Sequence, residues 1–143
     1  MNVSQWTQFI AHNALLFAAL AAILIMLVNH ELSHLAGAAN MLAPAAAVRL
    51  INRDDTVVVD LRETADYNAG HIRSALNVPE PKLKERLAEL SRYRERPLLL
   101  YCSMGQTAVR ASKTLKAAGF TQLYALKGGI GAWQQDNLPL ARD

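Results

Sequence analysis

The sequence holds one cysteine, Cys102, set between the run Pro97–Tyr101 and the segment Ser103–Ala108. The residues before it, "PLLLY", are large and apolar enough for a buried strand. Those after it, "SMGQTA", are small, polar or neutral and lead into a helical pattern. In open α/β sheets ligands bind beyond the carboxyl ends of strands, so this position favours a site. The backbone N–H groups of Ser103, Met104, Gly105, Gln106, Thr107 and Ala108 precede or open the helix and lack helical acceptors. They can turn inward as a nest of donors. Together with the positive end of the helix dipole, such a nest stabilises an anion and favours thiolate over thiol. Gly105 supplies the backbone freedom that a tight cradle needs. A purely structural, buried cysteine would leave both the glycine and the polar loop unexplained.

Two chemistries use a cysteine held this way. A cysteine phosphatase needs a loop wide enough for a tetrahedral phosphate and an arginine at its end to clamp the oxygens. Here the loop is Cys-Ser-Met-Gly-Gln-Thr, and the first basic residue after it, Arg110, falls inside the helix. No acid is placed to protonate a leaving group. A smaller cradle suits one extra sulfur atom on the thiolate, and a persulfide is an anion that the same donors would hold. A second pattern, "HELSH" at 30–34, matches the H-E-x-x-H zinc motif. Catalytic zinc also needs a third protein ligand and a cleft. The other histidines, His12 and His71, are poorly placed for that, so the pentapeptide reads as a polar helical continuation of what precedes it, with no metal.

The elements that must position Cys102 follow from periodicity. "PAAAVRLIN" from Pro44 predicts a helix. "TVVVDL", 56–61, is a β-branched run suited to a buried parallel strand. "ETADYNAG" predicts a short helix ending at Gly70, and Ala75–Val78 a short strand. "PKLKERLAELSRYRER", 81–96, reads as one amphipathic helix with Leu83, Leu87 and Leu90 on one face. "PLLLYC" is a strand, "TAVRASKTLKAAG" a helix capped by Gly119, "TQLYAL" a strand, and "IGAWQQ" a last short helix. Strands alternating with helices indicate an α/β domain with a mostly parallel sheet.

The N-terminal part is different. Ala14–Val28 is apolar without a break, and the run extends back to Trp6, giving 23 residues from Trp6 to Val28. About 20 apolar residues cross a bilayer core, so one N-terminal transmembrane helix is expected, with Trp6 at an interface. A cleaved signal peptide would want a basic n-region, and all 15 Lys and Arg lie between Arg49 and Arg142. By the positive-inside rule the N-terminus is outside and the C-terminal domain cytoplasmic, in a cell inner membrane. A lone reduced thiol suits that side. The expected organisation is an anchor over 1–30, a juxtamembrane linker over 31–43 and a domain over 44–143. The net charge of +3 is modest and says little about partners by itself, and no nucleic-acid partner is expected.

Three stretches in register resemble the rhodanese (sulfurtransferase) family, over about 100 residues from Leu42 to Arg142. "VVVDLRETADYNAGHIRSALNVP" is similar to its first signature, "YCSMGQTA" to its six-residue active-site loop, and "LKGGIGAWQQDNLPL" to its Gly-Gly-x-x-Ala-Trp ending. With the anchor, the likeness is to a short membrane-anchored bacterial rhodanese. The resemblance implies a three-layer fold on a five-stranded, largely parallel sheet. It makes Cys102 the nucleophile and persulfide carrier and residues 103–108 its binding loop. It gives Asp60 and Arg62 supporting roles near the loop, with Arg62 adding positive potential, and casts His71 as a hydrogen-bonded core histidine and Trp133 as packing. It implies double displacement between a sulfane donor and a thiol or cyanide acceptor, with no metal or organic cofactor. The loop carries no Lys or Arg, unlike thiosulfate-preferring members, which leaves protein persulfides and other small sulfur compounds open as donors. Ser74 stands where a glycine is usual. The alternative is an interaction module that uses the same scaffold beside a membrane-protein partner, because a fold does not fix a function.

Overall fold

The computed structural model describes the backbone of residues 2–37 and 39–142, and the side chains of residues 2–30 and 39–142. The Glu31 and His34 side chains of the HELSH motif, with the other side chains of residues 31–38, therefore lie outside the described residues. The chain forms two compact units, Met1–Ala36 and Gly37–Asp143.

The first unit is two helices, α1 (Val3–His12) and α2 (Ala14–Gly37). Asn13 ends one and starts the other. Its N–H donates to the carbonyls of Phe9 and Ile10, its side-chain amide also donates to the Phe9 carbonyl at 2.9 Å, and its own carbonyl receives the N–H groups of Leu16 and Phe17. A side chain that competes for the carbonyl four residues back is a local alternative to helix continuation. The two helices are bent by 81° at this residue. The expected single span from Trp6 to Val28 is thus not one helix. Among the described residues no single helix is long and apolar enough to cross a membrane, although the bent pair passes on length and composition together.

The second unit is built on a five-stranded sheet of order β1-β5-β4-β2-β3, parallel throughout. The strands are β1 (Asn40–Leu42), β2 (Val57–Asp60), β3 (Leu76–Asn77), β4 (Leu98–Tyr101) and β5 (Leu123–Leu126). β2 and β4 are buried along their whole length, as central parallel strands covered on both faces must be. The remaining helices are α3 (Pro44–Ile51), α4 (Thr64–Ala69), α5 (Leu87–Leu90), α6 (Gln106–Ala117) and α7 (Gly129–Gln135). On one face Val57, Val59, Leu98, Leu100 and Cys102 pack with Leu83, Leu90 and the α6 residues Ala108, Ala111 and Leu115. On the other, Val58, Leu99 and Tyr101 pack with Ala47 and Leu50 of α3 and Ile130 and Trp133 of α7. The result is a three-layer α/β domain.

Two elements differ from expectation. β1 lies in the segment read as linker: its three residues carry no β-branched pattern, and it is a strand because it pairs with β5, from Asn40 opposite Tyr124 to Leu42 opposite Leu126. The segment 81–96 is not one helix. It is a 3-10 turn at Glu80–Lys82, the single turn α5, and another 3-10 turn at Ser91–Tyr93. Leu83 and Leu90 still reach the core, so short turns satisfy the leucine spacing. Arg86 donates to the Asn77 carbonyl at 2.7 Å, tying the segment to β3. Ser74, at the position where glycine was expected, takes a left-handed backbone with φ of 63°, the conformation such a glycine would adopt without cost.

Candidate active site

Cys102 is the first residue past β4 and is 5% exposed. Residues alternate across a strand, so its thiol points to the α6 face while Tyr101, one position earlier, points to the opposite face. The loop turns at Gly105, whose φ of 101° is left-handed. That turn brings the Gly105 N–H to within 3.0 Å of Cys102 Sγ. Gly105 is also the N-cap of α6, so the next amides, of Gln106, Thr107 and Ala108, open the helix with no intrahelical acceptor. No acidic residue stands in the first turn of α6. The sulfur therefore sits at the start of α6 with the Gly105 N–H engaged, followed by first-turn amides that have no intrahelical acceptor. Ser103 and Gln106 are exposed, Met104 is 80% exposed, and Ala108 is fully buried.

The loop is held from outside by α7. Ile130 N–H donates to the Cys102 carbonyl at 2.9 Å, and Gly131 N–H to the Ser103 carbonyl at 3.2 Å. At Gly129, which has φ of 61°, a Cβ would run into the Cys102 carbonyl oxygen and the Ser103 carbonyl group. The helix can approach this closely only because that residue is glycine. Sequence reasoning noted the Gly-Gly pair as a family landmark and missed its mechanical role. It placed Arg110 inside the helix and missed that its guanidinium turns back to the Thr107 hydroxyl at 3.4 Å, which brings a cation to the end of an otherwise neutral loop.

Asp60, Arg62 and His71 belong to a different assembly. Asp60 is fully buried at the end of β2, opposite Tyr101 in register. Arg62 grips it through Nε, at 3.0 Å and 3.2 Å, and through a second nitrogen at 2.6 Å, and that second nitrogen also donates to the Gly70 carbonyl at 2.7 Å. Burial opposes the Arg62 charge, but the Asp60 carboxylate outweighs it and holds the guanidinium above its ordinary value. The Tyr101 hydroxyl accepts the Ile72 N–H at 3.1 Å and lies in the field of the Asp60 carboxylate. Burial first, and then the Asp60 carboxylate, push this phenol far above the usual tyrosine range. His71 stacks on Tyr67 with ring centroids 3.8 Å apart, its Nδ1 lies 2.9 Å from the Tyr67 carbonyl, and its backbone bridges Ala141. The structure places the Arg62 guanidinium among Asp60, Gly70 and the ring of Tyr101.

This architecture has known relatives. The rhodanese-like domain family matches residues 43–136. The chain is 32% identical over 136 residues to the uncharacterized protein YibN of Escherichia coli K12, covering 94% of this chain and 95% of that one. It is 32% identical over 92 residues to a sulfurtransferase of Allochromatium vinosum, covering 64% and 84% respectively. The fold matches the crystal structure of thiosulfate sulfurtransferase from Pseudomonas aeruginosa with a TM-score of 0.65 and 24% identity, over 73% of this chain and 20% of that one. These likenesses are consistent with a function of the sulfurtransferase type. The chain belongs to the rhodanese-like domain family.

Proposed function

We propose that this protein is a sulfurtransferase that carries sulfane sulfur as a persulfide on Cys102 and passes it to a thiol acceptor. The observation that carries this reading is the Gly105 N–H at 3.0 Å from Cys102 Sγ, beside first-turn amides that open α6. In the first step the Cys102 thiolate attacks the outer sulfur of thiosulfate. The new S–S bond forms as the old one breaks, and the leaving electron pair departs with sulfite. In the second step an acceptor thiolate, or cyanide, attacks the outer sulfur of the persulfide and the Cys102 thiolate is regenerated. The Gly105 N–H and the positive end of α6 stabilise negative charge on the persulfide in the loaded state. Neither step requires an external oxidant or a cofactor. Arg110 at the loop's end favours a small anionic donor, which keeps thiosulfate in play despite the neutral residues 103–109.

The proposal extends to location. Residues 6–28 associate with a bilayer, and the absence of Lys and Arg before Arg49 favours an external N-terminus and a cytoplasmic catalytic unit. Reaction of Cys102 with a membrane-impermeant thiol reagent in intact cells would contradict that orientation.

The test of the chemistry uses the full chain and its Cys102→Ser variant in detergent micelles. After thiosulfate, intact-mass analysis should show one added sulfur atom on the parent and none on the variant, and cyanide should remove it as thiocyanate. If no sulfane donor leaves an adduct, the enzyme reading is lost. The exposed, uncharged Met104 at the loop tip then favours an interaction module with a membrane-protein partner.

A further inference from the structure

We infer that the first unit does not cross the bilayer as one bent span. Instead, α1 lies in the membrane interface and α2 enters the hydrocarbon beneath it. This rests on the reading that residues 6–28 associate with a bilayer, and it assigns the two helices different roles there.

The sequence of α1 is amphipathic at helical spacing. At 100° per residue, Val3, Trp6, Phe9 and Ile10 fall on one side, and Ser4, Gln5, Gln8 and His12 on the other. The α2 run from Ala14 to Val28 has no polar side at all. Its leucines and isoleucines are about half exposed or more within the unit. One helix thus has the pattern of a surface helix and the other that of an inserted one. The angle agrees. With α2 along the membrane normal, the 81° bend leaves α1 within about 9° of the membrane plane.

The elbow between them is built rather than loose. Asn13 satisfies the carbonyls of Phe9 and Ile10, and its own carbonyl receives the Leu16 and Phe17 amides at the start of α2. Trp6 meets Phe9 edge-to-face at 6.5 Å, and Phe9 meets Phe17 edge-to-face at 6.1 Å, so an aromatic chain runs around the inside of the corner. Aromatic rings are the side chains that settle at the headgroup boundary.

Lengths separate this arrangement from a single span. The 15 apolar residues of α2 rise about 22 Å, short of a hydrocarbon core of about 30 Å. An interfacial helix buries its apolar face about 5–10 Å into the boundary. That depth makes up the shortfall, with α1 above α2. A spanning α1 would drag Ser4, Gln5, Gln8 and His12 through hydrocarbon with no protein partner. Because α1 has no Lys, Arg, Asp or Glu, apolar area and not lipid charge must hold it down. Its partner surface is accordingly an ordinary zwitterionic bilayer.

The experiment places single nitroxide labels in the full chain, with Cys102→Ser to remove the native thiol and circular dichroism to confirm the fold. Labels at Gln5, Gln8, Phe9, Ile10 and Leu20 are read by power saturation in phosphatidylcholine vesicles. The expected result is a deep label at Leu20, shallow buried labels at Phe9 and Ile10, and water-exposed labels at Gln5 and Gln8. The α1 profile should repeat every 3.6 residues and be unchanged by phosphatidylglycerol or by added salt. A deep Leu20 with depth varying steadily from residue 5 to residue 10 overturns the interfacial helix and leaves the membrane reading intact. A water-exposed Leu20 removes the membrane reading itself. An α1 profile that deepens only with anionic lipid overturns the assignment to apolar area.

Discussion

Two neighbouring strands end a few ångströms apart in register and deliver opposite things. At the end of β2, Asp60 accepts four hydrogen bonds from the backbone and side chain of Arg62, and the same guanidinium reaches the Gly70 carbonyl. Tyr101 adjoins that network from β4, its ring under the Arg62 guanidinium and its hydroxyl accepting the Ile72 N–H, and every buried side-chain polar atom among the described residues has a partner. At the end of β4, the loop after Cys102 presents a run of N–H groups of which Gly105 alone meets the sulfur. The first arrangement is saturated and so is structural. The second leaves first-turn amides of α6 without intrahelical acceptors, the form that an anion-stabilising site takes. A buried ion pair is the more conspicuous of the two, and it is the one further from the chemistry.

That contrast can be broken from either side. The largest effect should come from Asp60→Asn, which strands the Arg62 guanidinium beside the Tyr101 ring. We expect a loss of about 3–5 kcal/mol in urea unfolding. The folded fraction should still take up one sulfur atom from thiosulfate. Failure of the folded protein to load sulfur would mean that the two networks are one.

Gly129→Ala attacks the loop instead. A left-handed alanine costs about 1–2 kcal/mol, and pushing aside the Cys102 and Ser103 carbonyls adds about 1–3 kcal/mol. Here sulfur loading should fall by far more than stability alone explains, measured as adduct per folded molecule. A well-folded variant that loads normally would show that α7 does not set the cradle.

Tyr101→Phe is gentler and carries a pH signature. The phenol of the folded protein ionises well above the unfolded value, so its contribution is intact below about pH 10 and declines as pH rises past that point. The variant should be less stable by about 1–3 kcal/mol at neutral pH, where the buried Ile72 N–H loses its acceptor. It should also show a shallower alkaline decline in urea midpoint than the parent. Equal slopes would mean that Tyr101 does not titrate in that window.

Arg110→Gln should have the smallest effect. A single exposed cation a few ångströms from an anionic donor is worth about 1 kcal/mol in water, so KM for thiosulfate should rise roughly five-fold, and the difference should fade with salt. An unchanged KM would return the loop to the neutral character that its sequence suggests.

The sequence made the hydrophobic scaffold legible because its signals are local. Runs such as Val57–Asp60 and Leu98–Tyr101 announce buried parallel strands, and the pattern around Cys102 announces a loop followed by a helix. The missing parts depend on partners distant in the chain. β1 is a strand because β5 offers it a ladder, and nothing in Asn-Met-Leu says so. The leucines of 81–96 keep helical spacing, but the Arg86 bond to Asn77 and the successive short turns are tertiary outcomes. In the first unit, apolar composition hid a corner made by one side-chain amide at Asn13. At the site, Cys102 and Gly105 were readable, whereas the close approach of Gly129 and the return of Arg110 to Thr107 required the fold.

The pleat of β4 has a consequence for anyone redesigning this domain. Tyr101 and Cys102 are consecutive, but strand alternation sends one into the saturated network and the other into the reactive loop. A single peptide bond thus separates the side chain that enters the saturated network from the one that enters the cysteine loop. Residues 103, 104 and 106, all exposed, can be rewritten as a cassette to recruit new donors or acceptors while the frame behind them stays fixed. The usable length of that cassette is bounded at Gly105, where the chain must turn, and by α7, which grips the backbone and not the side chains.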